Sequence, residues 1–379
     1  MPSLTGAELA LGRARSDIDV MSRAGLPLHR FMDEAASTIE RVIPISGGCL
    51  STLDPATAMV SSTRKFAGLS GNNAGDVAWA HVEYGVEDPS SIEAMVRSGT
   101  TALGMHLSLD GAVESSVRMA ELMLPVFDYR DEARAIFHDR HGAWGAISVF
   151  RGRDDAPFSR QELDFLAAIA PAFTRGIRAG LLSQLSAADA ERATGPVVMI
   201  IDSADRLAQS SPGAAAQLER LSNAPSAGDP LTLVHALVAA ARRYARCEAD
   251  HLPRIRVRTG DGIWLVLHAA PLGGAADRAG DVVVTIEEAR PQEVMGLVAD
   301  AFGLTARERD VTTQVLRGAD TKEIAAAMHV SPYTVQDHLK SIFDKAGVAS
   351  RRELVSRVYF DQYVPRWGAE VAPGGFFAA

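Results

Sequence analysis

The chain has 379 residues, 47% hydrophobic and 22% charged, which places it among ordinary globular proteins and is enough for two or three domains. A formal charge of −9 excludes indiscriminate coating of nucleic acid, because phosphate attraction grows with positive charge. Two cysteines, Cys49 and Cys247, cannot build a disulfide framework, no run is apolar enough to span a membrane, and no charged lead precedes an apolar run at the N-terminus, so a cytoplasmic protein without membrane contact is expected.

Residues 15–182 mix helices and strands. Leu28, Phe31, Met32, Ala35, Ile39 and Val42 recur at helical spacing. Gly47-Gly48 breaks that pattern, and residues 49–53 and 59–63 read as short strands. Residues 79–98 are helical, interrupted at Pro89-Ser90-Ser91. Residues 133–138 and 145–150 predict an antiparallel hairpin. Ser159-x-x-Glu162 is a capping box opening a long helix, whose Phe165, Ile169, Phe173, Ile177 and Leu181 step by four residues. That stripe, running on through Leu182 and Leu185, suits either a dimer seam or packing on the helix's own sheet. Pro171 and Gly176 both weaken a helix interior.

Residues 194–290 begin with an apolar strand at 197–201, followed by helices at 212–221 and 231–244. Ile255 and Val257 alternate with Arg254, Arg256 and Arg258, the period of a half-exposed strand. Asp261-Gly262 is a hairpin turn between strands, the second at 263–268, and a last strand follows at 281–286. One strand, helices and three strands predict a small antiparallel sheet with helices on one face. Residues 183–194 and 287–293 read as connectors, and 368–379 as a loose tail.

Residues 300–367 contain four helices with their own start signals. Thr305-x-x-Glu308 caps the first, and Gly318 ends it in the left-handed conformation. Asp320 with Glu323 opens the second, whose inner face is Ile324, Ala325 and Met328. Ser331 and Pro332 open the third, Gly347 closes it, and Ser350-x-x-Glu353 caps the fourth. Only His329-Val330-Ser331 separates the second and third helices, the spacing of a helix-turn-helix, with His329 at the turn position that calls for positive φ. Val335, Leu339, Ile342 and Phe343 form an apolar stripe. Gln336, Asp337, Lys340 and Ser341 lie opposite it, with Tyr333 and Thr334 at the N-terminal end. A helix so divided can enter the major groove, where Gln pairs with adenine, Asp accepts from cytosine and Lys reaches guanine. Lys322, Lys345, Arg351 and the N-terminus of the third helix are placed for phosphates.

Leu304-Thr-x-Arg-Glu308, Gly318, Lys322-Glu-Ile-Ala325, Ser331, Thr334-Val335, His338-Leu339 and Lys345-x-Gly347-Val348 together resemble the LuxR-type helix-turn-helix family, without a gap over residues 304–364. The resemblance implies binding of a double-stranded DNA operator as a homodimer and control of transcription, with RNA polymerase as a further partner. It assigns Gln336, Asp337 and Lys340 to bases and Lys322, Thr334 and Lys345 to the backbone, joined there by Arg351. Asp337 departs from the pattern, standing where many relatives are neutral or basic. Between residues 303 and 367, ten basic side chains face eight acidic ones, so this block carries +2 and the remainder −11. Of the lysines, only Lys65 lies outside it.

The order of elements in 15–182 resembles a GAF domain, and that in 194–290 a PAS-like fold. The expected architecture is α+β and multidomain: a GAF-like α/β sensory domain, a PAS-like domain and an all-α helix-turn-helix domain. This implies a one-component sensor responding to a small ligand of unknown identity. The alternative is a regulator whose front domains bind a partner protein and no small ligand. Cys49, Trp79, His81, Tyr84, Met105 and His106 are candidates for lining a GAF-like cavity. Cys49 is a redox sensor only if exposed and of low pKa. His81 and His106 stand at no diagnostic ligand spacing, so no metal or cofactor is expected. Ile200-Ile201-Asp202 lacks the acidic pair of a phosphoacceptor domain, and no phosphate-binding Gly-x-x-x-x-Gly-Lys motif occurs. Trp79-Ala-His81-Val-Glu-Tyr84 has the wrong spacing for an autoinducer receptor. No catalytic constellation stands out, so an enzyme is not expected.

Overall fold

The computed structural model describes residues 6–182, 196–222, 230–260, 262–273, 278 and 280–360. The predicted connector 183–194, Leu185, Asp261 and the tail 368–379 lie outside them. The chain divides into two compact units, one holding two β-sheets and one holding the C-terminal helices.

The first unit opens with α1 (Gly6–Arg23) and α2 (Leu28–Glu40). Strand β1 (Gly47–Leu53) pairs antiparallel with β2 (Val60–Ala67), and then come α3 (Asp76–Ala80), a π-turn at His81–Gly85 and α4 (Ile92–Ser98). β3 (Ala102–Gly104), α5 (Met105–Ser108), a second π-turn at Met119–Met123 and α6 (Leu124–Phe127) lead into the hairpin β4 (Asp131–Asp139) and β5 (Gly142–Arg151). The closing helix α7 (Arg160–Leu181) starts at the predicted capping box, both halves of which form. The sheet order is β2-β1-β5-β4-β3.

A second sheet follows the same path. β6 (Val197–Ile201), β7 (Leu207–Ser210), α8 (Ala214–Ser222), α9 (Pro230–Ala245), β8 (Arg254–Arg258), β9 (Trp264–Pro271) and β10 (Val282–Glu288) give the order β7-β6-β10-β9-β8.

Several expectations need correction. Strand β1 starts at Gly47 rather than at Cys49, and both glycines lie in it under close neighbours: a Cβ at Gly47 would meet the Tyr129 hydroxyl and one at Gly48 the Phe66 ring. The stripe on α7 is not a dimer seam. Phe165, Ile169, Phe173, Ile177 and Leu181 are all buried within the chain, where α7 packs on α1, α2 and β4. Phe173 stacks on Phe137 at 4.4 Å and meets Phe31 edge-on at 5.4 Å. Arg256 is not on a solvent face: it is 7% exposed and clasps Asp54. The stretch 287–293 is no plain connector, since Glu287 and Glu288 end β10 and a helix starts at Pro291.

The second unit is helical: α10 (Pro291–Ala301), α11 (Ala306–Leu316), α12 (Thr321–Met328), α13 (Pro332–Ala346), α14 (Arg351–Val355) and a π-turn at Ser356–Phe360. Each start signal acts as expected. Thr305, Asp320, Ser331 and Ser350 accept backbone N–H bonds from the first turns of α11 to α14. His329 ends α12 at φ +56°, and Gly347 ends α13 at φ +64°.

Candidate functional site

α12 and α13 are joined through His329, Val330 and Ser331, and the second of the pair is a two-faced helix. Val335, Leu339 and Ile342 are buried, and α13 packs against α11, α12 and α14. Gln336, Asp337 and Lys340 are exposed on the other side, and Tyr333, at the helix start, is 73% exposed. Thr334 is half-buried, its hydroxyl 2.9 Å from that of Ser331. Lys322 is exposed at the start of α12.

Two of the predicted phosphate contacts are engaged inside the unit. Lys345 Nζ donates to Glu308 at 2.8 Å and 2.6 Å. Arg351 donates to the Ala319 carbonyl at 2.5 Å and to Thr321 Oγ1 at 3.4 Å, holding the loop before α12. Glu308 also accepts from the Thr305 N–H and the Ser341 hydroxyl. Burial alone would raise its carboxyl, but Lys345, Ser341 and Thr305 outweigh that and hold it down at about 2. In the sequence Glu308 is legible as a cap and as part of the family motif, but not as a tie to α13. Its partners on α13 lie more than thirty residues away.

A cavity of about 70 Å³, partly open to solvent, lies on one face of the first sheet. Strand alternation builds it. Cys49 stands opposite Lys65 and Ser148, Ser51 opposite Thr63, and Phe150 opposite Glu132, so these side chains share one face. Trp79, Leu122, Met123 and Phe127 cover them, and Leu221, Pro230, Thr232 and Leu233 from α8, α9 and its first turn close the remaining side. Lys65 is tied to Asp76 at 2.6 Å, and Thr232 Oγ1 donates to Asp76 at 2.7 Å.

Of the six candidates for the cavity, Cys49 and Trp79 line it. Met105 belongs to the adjoining apolar core. Tyr84 is buried with its hydroxyl accepting from the Val60 N–H at 2.9 Å; burial and the neighbouring Glu83 push its phenol up. His81 is exposed and His106 half-buried, and neither is among the lining residues. Burial and the charge of Glu132 push the Cys49 thiol up to about 11, so it is a thiol at neutral pH, the opposite of a redox sensor's thiolate.

Beneath the cavity lies a buried charge cluster that sequence reasoning missed. Glu83, on the first π-turn, accepts from Arg118, from Arg134 at 2.9 Å and from the Ile92 N–H at 2.6 Å. Burial would raise its carboxyl, and the two guanidiniums outweigh it and hold it low. Asp88 accepts from Ser90 and Ser116. Glu132, fully buried, accepts no hydrogen bond at either oxygen; Arg118 Nε is 3.3 Å away and Arg134 Nε 3.5 Å. Among the described residues no group of His, Cys, Asp and Glu is arranged to hold a metal, and no helix is long and apolar enough to cross a membrane.

Comparison with known proteins bears on the two units unequally. Residues 303–358 match the model for bacterial regulatory proteins of the luxR family. The monoamine regulon transcriptional regulator of Klebsiella aerogenes is 46% identical over 56 residues, 15% of this chain and 25% of that protein. The transcriptional regulatory protein UhpA of Escherichia coli is 41% identical over 56 residues, 15% of this chain and 29% of its own. The chain therefore spans well under half the length of these relatives. The GAF domain of an Acinetobacter phosphoenolpyruvate-protein phosphotransferase covers 46% of this chain and 94% of its own, at 14% identity and a TM-score of 0.31. A likeness that faint decides nothing about the front unit. The C-terminal unit is another matter: residues 303–358 are a LuxR-family helix-turn-helix domain.

Proposed function

We propose that the protein is a sequence-specific, DNA-binding transcription regulator that acts in the cytoplasm as a homodimer, and whose front unit binds a small ligand and thereby changes operator affinity. The observation that carries the DNA reading is the division of α13. Val335, Leu339 and Ile342 anchor one face, and Gln336, Asp337 and Lys340 stand free on the other. In this reading those three meet base edges, and Lys322 and Thr334 meet phosphates. Lys345 and Arg351 are read first as internal ties, since each spends two of its donors inside the unit. The cavity on the first sheet supports the ligand half of the proposal, with sensory regions over 15–182 and 194–290 and the output region over 300–367. RNA polymerase is the partner through which a bound dimer would act.

A charge of +2 over residues 303–367 is modest, so affinity rests on dimerisation and on paired half-sites. The test is a genome-wide footprint of the purified full-length protein, with and without small-molecule extract. Discrete protected sites with dyad symmetry support the reading, and occupancy that shifts with extract supports the ligand half. A folded protein that protects no sequence preferentially under either condition overturns it.

A further inference from the structure

The charge cluster below the cavity does not balance. Glu83, Asp88 and Glu132 face Arg118 and Arg134, one negative charge in excess. Neighbouring ionisable groups do not supply the difference. Lys65 is neutralised by Asp76. Asp131 is satisfied by the backbone N–H groups of His106, Glu132 and Phe158. Cys49 is an un-ionised thiol. Asp88 is satisfied by Ser90 and Ser116, whereas Glu132, fully buried and bordering the cavity, meets Arg118 and Arg134 only at ion-pair distances of 3.3 and 3.5 Å and accepts no hydrogen bond. A buried carboxylate that accepts no hydrogen bond is costly even beside guanidiniums, and a partner that brings both a proton donor and a positive charge lowers that cost. The other walls are Trp79, Leu122, Phe127, Tyr129 and Phe150, apolar surfaces whose ring faces also attract a cation.

We infer that the cavity takes a protonated amine with an apolar body, the ammonium donating to Glu132 and the body lying among Trp79, Phe127 and Phe150. The inference rests on the ligand-binding half of the proposed function and names the chemistry of that ligand. It disfavours carboxylates and phosphates, since no unpaired cation lines this cavity among the described residues.

Calorimetric titration of the full-length protein with benzylammonium, 2-phenylethylammonium, cyclohexylammonium and hexylammonium chlorides tests it. Benzyl alcohol, 2-phenylethanol and phenylacetate serve as neutral and anionic counterparts. At least one amine is expected to bind saturably, and on the order of tenfold or more tighter than its alcohol. Glu132→Gln should erase that preference while binding of the alcohol persists. Binding of the alcohols or of phenylacetate as tight as that of the amines overturns the inference, as does failure of every amine to bind. The comparison among ligands on the unaltered protein decides the matter even if Glu132→Gln does not fold. Footprinting in parallel keeps the two readings apart. An amine that binds but leaves operator occupancy unchanged removes ligand-controlled DNA binding and leaves the cavity's chemistry standing. Occupancy that responds to extract, with no amine bound, does the reverse.

Discussion

Lys345 Nζ lies 2.6 and 2.8 Å from the two carboxylate oxygens of Glu308, whose side chain is 5% exposed, and so fastens the last turn of α13 to the first turn of α11. Helix α13 is thereby held at both ends: Ser331 caps its start and Glu308 grips its finish.

That carboxylate makes the helical domain acid-sensitive in a defined window. Its pKa falls from an ordinary 4.5 to about 2 on folding. A group depressed in the folded state stabilises above its unfolded value, and that stabilisation is lost as pH falls through the folded value. The loss should begin near pH 4.5 and be complete near pH 2. With Lys345 partly solvated, the contribution is on the order of 1–2 kcal/mol. Denaturant midpoints from pH 2 to 6 for the wild type and Glu308→Gln should converge toward the acid end. Profiles that stay parallel would rule this out.

The same pair separates structure from DNA contact. Lys345→Met should lower the melting temperature and leave the salt dependence of operator binding unchanged at temperatures where the variant is folded. Lys322→Ala should weaken binding to all sequences and reduce the salt slope by about one. Lys340→Ala should cost about 1–3 kcal/mol on the specific site alone. A reduced salt slope for Lys345→Met would return that residue to the phosphate contacts.

Asp54 and Arg256 form a second long-range tie. The guanidinium donates at 2.5 and 2.8 Å, and the Arg256 backbone N–H adds a bond at 2.9 Å. Both side chains are nearly out of solvent, at 1% and 7% exposed. Removing one charge of a buried pair strands the other, at a cost of about 3–5 kcal/mol. Asp54→Asn should destabilise by that order in urea unfolding, and adding Arg256→Met should recover part of the loss. A single variant within 0.5 kcal/mol of wild type, about the scale of an ordinary surface substitution, would show the pair to be incidental.

Gly176 offers a test in which propensity and packing disagree. Alanine is better than glycine in a helix interior by about 1 kcal/mol. Yet a Cβ here would lie 2.3 Å from the Phe31 ring, which is itself 1% exposed and wedged against Phe173. Gly176→Ala should therefore destabilise, by about 1–3 kcal/mol, as the ring is forced from its place. A rise in melting temperature would refute the packing account.

What the sequence disclosed followed the range of the interactions involved. Ser159 with Glu162, Thr305 with Glu308 and His329 at positive φ obey rules spanning a few residues, and all were legible. Helix α1 was missed because its buried face is thin, only Ala14, Ile18 and Ser22. Strand β7 was missed because its four residues are all exposed and show no alternation. Glu132 escaped notice at the edge of the predicted hairpin, and Arg256 looked like the outward half of an alternating strand. Their burial depends on partners elsewhere: Arg118 for Glu132, and for Arg256 a carboxylate 202 residues away. No local pattern announces a charge that will be buried by a distant one.

Thr232 and Leu233, from the first turn of α9, wall the cavity of the first sheet, although that helix belongs to the chain segment that builds the second. Asp76 is shared between Lys65 beneath and Thr232 above. The wall of the cavity at the first sheet is thus also the seat of a neighbour's helix, and under the proposed function the two sheets would work less as successive sensors than as a vessel and its stopper. A guest slightly too large for the vessel would be felt at the stopper, and the strain would pass into α9 along its axis.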